Sequence, residues 1–185
     1  MYTGAFWAFL LLGLVFLLGS YNGLCQSRSQ VRKAWSQIKV QMKRRHDLVK
    51  RLIPMIGEGL VKEFDLPQKL NQAQYAVSHE DTPCRCVSAE EDLIDSVQGM
   101  LGVSLKGHPV SNRDQLVTWQ EEWISTQNRI IFLQQFYNDC VMMYNIKLNT
   151  LPFLWFASLA GHRKERFFEI KNSLYSEFSN INSMA

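Results

Sequence analysis

Residues 116–144 read LVTWQEEWISTQNRIIFLQQFYNDCVMMY. In this stretch Leu116, Trp119, Trp123, Thr126, Ile130, Leu133, Tyr137, Cys140 and Tyr144 recur at alternating steps of three and four. Such steps return side chains to one stripe of an α-helix, whereas a half-buried strand alternates every second residue. Held over nine positions, the pattern is a heptad seam of the coiled-coil type, and it predicts a long helix over about residues 113–149 packed lengthwise on a partner. Ser111 or Asn112 is placed to cap its start, and Pro152 lies just beyond its end.

The matching stripe lies upstream. Val31, Trp35, Ile38, Met42, Val49, Leu52 and Ile56 share one helical face, and Arg45 fills the slot between Met42 and Val49. This predicts a helix over about residues 28–56. No proline occurs before Pro54, so the helix is free to continue from the segment before it, and Gly57 and Gly59 favour a bend after it. Leu60–Val77 is helical in composition, with Pro67 as a restart point. Ser78–Val87 reads as a loop, Ser88 and Glu91 have capping-box spacing, and Leu93, Val97, Met100 and Leu101 form a short apolar face. After Pro152, Phe167, Ile170, Leu174 and Phe178 suggest an amphipathic tail.

Before Arg28 there is no acidic or basic side chain. Ala5–Leu18 is almost purely apolar, and Gly19–Leu24 extends it without charge. About 20 such residues in a helix cover roughly 30 Å, the thickness of a bilayer's hydrocarbon core. A cleaved signal peptide wants a basic stretch first, and Leu24 is too large to precede a lipoprotein cysteine at Cys25. The chain of 185 residues holds one domain and an anchor. The expected architecture is all-α: a transmembrane helix over residues 1–24, an up-and-down antiparallel bundle of about four helices over 25–170, and a helical or frayed tail over 171–185.

The net charge of +3 conceals an asymmetry: Gln26–Arg51 carries nine Lys/Arg against Asp47 alone, a surplus of +8. Lys/Arg excess beside an anchor marks the cytoplasmic side. The expected topology is therefore single-pass, N-terminus out and domain in the cytoplasm, with a bacterial inner membrane as the location. This accounts for the basic run better than nucleic acid does, and no nucleic-acid partner is expected. Arg28, Arg32 and Lys33, with Phe153, Trp155 and Phe156, are candidates for contact with the membrane surface. Cys25, Cys84, Cys86 and Cys140 lack a disulfide-framework pattern, and free thiols are expected.

Chemistry is sparse. His79, Cys84, Cys86 and His108 could suggest metal, but Cys-Arg-Cys leaves one residue between thiols where zinc sites use two to four. Cys140 falls on the seam and reads as a small buried hydrophobe, His46 as a member of the basic run that is solvated or near lipid headgroups. Neither a phosphate-binding glycine loop nor a His-Glu-x-x-His element occurs. No cofactor, metal or catalytic activity is expected. Tyr137-Asn138 and Tyr144-Asn145 repeat seven residues apart, so both asparagines flank the seam. Arg45, Asn138 and Asn145 are expected to form a structural polar lock, because a buried charge needs partners: Arg45 should meet carbonyl or carboxylate groups of the long helix over 113–149, with Asp139 or Glu122 as candidates.

Two blocks, YNGLCQSRSQVRKAWSQIKVQMKRRHDL (21–48) and WQEEWISTQNRIIFLQQFYNDCVMMYNIKLNTLP (119–152), resemble the LemA family. The chain departs from the family pattern at Val49–Ile53, at Ala73-Gln74 and at His162, where an aromatic usually follows the family glycine matched by Gly161. The resemblance implies a single-pass membrane protein with a cytoplasmic helical bundle. Some members are associated with membrane-protein quality control beside a membrane metalloprotease, others with membrane shaping. The expected function is a membrane-anchored scaffold or adaptor that binds other proteins, with a membrane protease among the candidate partners and self-association left open. The alternative is a membrane-shaping or lipid-surface-binding protein.

Overall fold

The computed structural model describes residues 2–56, 58–79, 83–107, 113–150 and 161–170. Among these residues every regular element is helical. The long helix α1 spans Tyr2–Leu52 without a break, so the apolar N-terminal run and the first stripe are one helix. Its end follows from Pro54, which has no N–H to donate and clashes with the preceding turn. Residues Ile53–Met55 tighten into a 3-10 turn, and Ile56 leaves it extended at ψ 143°.

The short helix α2 covers Glu58–Glu63 and α3 covers Leu66–His79. Between them Asp65 turns the chain in the left-handed region at φ 51°, which Asp tolerates better than most residues. Its carbonyl accepts the first bond of α3, from the Lys69 N–H at 3.1 Å. Pro67 sits in the first turn of α3, where a missing N–H costs nothing, so it restarts the helix as expected.

The expected loop over Ser78–Val87 is shorter than predicted. Helix α3 runs to His79, and α4 covers Pro83–Gly107. A proline with its φ already set for a helix opens α4, so Ser88 lies inside the helix and does not cap it. Of the metal candidates, Cys86 is buried and its thiol donates to the Ala76 carbonyl, while His79 stacks on Tyr75. His108 and the Cys84 side chain lie outside the described residues, as do the cap candidates Ser111 and Asn112.

Helix α5 spans Arg113–Asn149. Seven of its nine seam residues are buried, while Leu133 and Cys140 are half-buried. Val141 and Leu148 are buried instead. The reason is the mismatch between 3.5 and 3.6 residues per turn, which rotates a strict heptad by about 20° each repeat. Over four heptads the core-facing position has therefore moved from Cys140 to Val141.

The chain divides into two compact units, residues 1–37 with 135–167 and residues 38–134 with 168–185. In the first, Trp35 meets Tyr137 at 5.9 Å between rings and Ser27 meets Lys147 at 2.6 Å, so α1 and α5 run antiparallel there. Phe6, Phe9, Leu12 and Phe16 of this unit are exposed, and α1 is long and apolar enough to cross a membrane. The second unit is a helical bundle. Arg45 reaches Gln127 and Arg51 reaches Glu122, which orients α1 and α5 antiparallel there as well. The contacts of Lys69 with Ser96 and of Ala76 with Cys86 do the same for α3 and α4. Gly99 lets α2's end close on α4, since a Cβ there would sit 2.7 Å from the Phe64 ring.

After Gly161, whose φ of 67° suits glycine, residues 162–170 form no helix. The amphipathic tail helix is thus corrected over its described part. Phe167 is 60% exposed, whereas Phe168 and Ile170, two apart as on an extended chain, are buried. Leu174 and Phe178 lie outside the described residues, as do Phe153, Trp155 and Phe156.

Candidate functional site

In the bundle unit three ionisable side chains meet away from water. Arg45 is 1% exposed and Glu90, from α4, is fully buried. Arg45 Nη2 donates to Glu90 Oε2, and Arg45 Nη1 donates to Gln127 Oε1 at 3.1 Å. His46 Nε2 lies 2.6 Å from the other carboxylate oxygen, Glu90 Oε1. Burial alone would raise the Glu90 carboxyl, because a charge is costly in a low-dielectric interior. The Arg45 guanidinium and the His46 contact outweigh it and hold the carboxyl below its usual range. Trp119 closes the neighbouring turn, donating from Nε1 to the Leu48 carbonyl at 2.7 Å and stacking on Trp123.

Several expectations change here. The carboxylate for Arg45 is Glu90, not Glu122, which pairs with Arg51, nor the exposed Asp139. His46 is buried rather than solvated. In place of the expected lock of Arg45 with Asn138 and Asn145, Arg45 is bonded to Glu90 and Gln127, and the Asn145 side chain to Glu165. The burial of Glu90, though not its pairing with Arg45, follows from helical spacing: stepping back from Leu93 by three and four gives Glu90 and then Cys86, both buried. A cap at Ser88 would leave Cys86 outside the helix, whereas α4 begins at Pro83 and includes both.

In the first unit the Tyr-Asn repeat holds the extended segment after Gly161. The Asn145 side chain makes two bonds to the backbone of Glu165, donating to its carbonyl at 2.9 Å and accepting its N–H at 3.1 Å. Asn145 therefore serves an extended segment and not another helix. Tyr137 donates to the Arg166 carbonyl, and Asn138 is half-buried nearby in sequence. Tyr144 Oη lies 3.1 Å from His162 Nδ1, and the His162 ring also meets Tyr21 edge-on. Burial, assisted by Arg28, pushes the His162 imidazole below its usual range, which favours the neutral ring beside the Tyr144 hydroxyl. Replacing Asn145 with Ala removes both bonds to Glu165, at about 0.5–1.5 kcal/mol each. Amide exchange at Glu165 should rise by roughly tenfold or more, with exchange in α3 unchanged.

Of the membrane-surface candidates, Arg32 and Lys33 are exposed and Arg28 is half-buried. On the bundle unit an open groove of about 750 Å³ runs along α5 between Glu121 and Leu133, with Gln41 of α1 on its edge. Ile124 and Phe132 face solvent there, and the exposed Val117 lies about two turns before Ile124. Among the described residues no group of three or more His, Cys, Asp or Glu is arranged to hold a metal ion.

No curated protein matches the chain. The family model for LemA matches residues 34–182, which takes in the Arg45–Glu90–Gln127 cluster and the Tyr-Asn repeat. The chain belongs to the LemA family.

Proposed function

We propose that the protein is a membrane-anchored scaffold whose helical bundle binds other proteins at the membrane surface. The observation that carries this reading is the outward face of α5 in the bundle unit. Val117, Ile124 and Phe132 are exposed there, Phe132 at 68%, on a helix that already buries the opposite face. Large apolar side chains grouped on a polar surface mark places where another protein packs. The exposed apolar run at the start of α1 supports the anchor, and the basic residues after it support a cytoplasmic domain. A non-catalytic role fits the burial of Arg45, His46 and Glu90, which places these groups out of a substrate's reach. A membrane protein, including a membrane protease, is the partner class the family resemblance suggests.

Site-directed photo-crosslinking in carbonate-washed native membranes tests the reading. A photoreactive residue at Phe132 should give discrete protein adducts, and one at the exposed Lys43 of the same unit should give few. Adducts at neither position, or the same set at both, count against a docking face on α5.

A further inference from the structure

We infer that the first unit carries a binding surface for the phosphate of anionic phospholipid headgroups, built from two segments far apart in sequence. The inference rests on reading residues 1–24 as a membrane anchor. Arg28, Arg32 and Lys33 come from α1, in the turns that follow the apolar run. Arg163 and Lys164 come from the segment after Gly161, and both are exposed. Tethers on either side fix that segment: His162 is held by Tyr144 and Tyr21, and Glu165 by Asn145. Arg28 acts electrostatically on both Tyr144 and His162, so the two basic segments lie together in this unit.

The charge balance favours an anion. The unit contains seven Lys/Arg and two acids, Asp139 and Glu165, although the chain as a whole carries only +3. Arg28 also has a buried Nε with no hydrogen-bond partner among the described residues. A buried guanidinium N–H without an acceptor is costly, and a phosphate oxygen supplies one. Arg163 and Lys164 are too far along the chain to be part of the topology signal, which is read within about 15–20 residues of an anchor. Their position directly after His162, which meets Tyr21 of α1 and feels the charge of Arg28, therefore needs another explanation. The occupant is a lipid because the α1 half of the surface begins one turn after the uncharged run ends. At that position a cationic side chain meets headgroups rather than bulk water.

The test uses the full chain in nanodiscs of phosphatidylcholine with about one-third phosphatidylglycerol, followed by detergent release and native mass spectrometry. The wild type should retain phosphatidylglycerol in preference to phosphatidylcholine. Each cation near an anionic surface is worth about fivefold, so R163Q/K164Q should lower phosphatidylglycerol retention by about 25-fold. K43Q/R44Q, which removes two exposed cations from the bundle unit, should leave it unchanged. Equal retention of the two lipids, or equal losses in both double variants, overturns the inference while the anchor reading stands. A chain that never enters nanodiscs and stays soluble overturns the anchor reading and this inference with it.

Discussion

Arg45→Ala should destabilise the folded chain by about 3–5 kcal/mol, the usual cost of breaking a buried ion pair and leaving one partner behind. The stranded group is the Glu90 carboxylate, buried and keeping its contact with His46, while Gln127 loses its bond from Arg45. Arg45→Met fills the same slot with apolar volume but still strands Glu90, so it should fall between the Ala variant and wild type. Lys43 and Arg44 are exposed beside the same turn, and Lys43→Ala should cost within about 0.5 kcal/mol. Thermal or denaturant unfolding of the full chain in detergent, followed by far-ultraviolet circular dichroism, ranks the variants. If Arg45→Ala is as mild as Lys43→Ala, water reaches the cluster and the buried-pair account is wrong.

How much of this was visible in the amino-acid sequence depends on how local the signal is. The stripe from Val31 to Ile56 is buried at every position named for it, including Arg45, because burial on a helix follows from 3.6-residue geometry alone. The α5 seam was legible for its first five residues and then drifted, since a strict heptad assumes a supercoil that α5 does not keep. The long helix does supply a carbonyl to Arg45, from Gln127, but the carboxylate partner of Arg45 was not legible. It lies on α4, which begins at Pro83 rather than at Ser88. Choosing among carboxylates on other helices requires knowing which helices touch, and periodicity carries no such information.

The segment after Gly161 failed for a different reason. Phe167, Ile170, Leu174 and Phe178 have helical spacing, but spacing cannot report that a neighbouring helix offers hydrogen bonds to an extended backbone. Asn145, Tyr137 and Gln134 provide them, to Glu165, Arg166 and Ile170. A backbone supplied with partners from outside has no need to form its own helical bonds. The Tyr-Asn repeat was conspicuous in the sequence, yet its role was misassigned to contacts between helices. His162 shows the same limit: it departs from the family pattern, and nothing in the pattern tells that its ring meets both Tyr144 and Tyr21.

Glu90→Gln is the second large effect and has a pH signature that a packing defect lacks. The carboxyl is held below its usual range, so the folded chain keeps it ionised where the unfolded chain takes up a proton. Its contribution is therefore complete above the unfolded carboxyl pKa. It is lost as pH falls through the lower folded value, because the unfolded state then binds more protons. At neutral pH Glu90→Gln leaves Arg45 charged and buried beside a neutral amide, and should cost about 3 kcal/mol or more. As pH falls the wild type loses stability at up to about 1.4 kcal/mol per pH unit from this group, and the variant does not. The two unfolding curves should therefore converge towards acid. A gap between wild type and Glu90→Gln that stays constant from pH 7 to pH 3 would mean that folding does not lower the Glu90 carboxyl, and a gap that widens towards acid would mean that Glu90 is neutral in the folded chain.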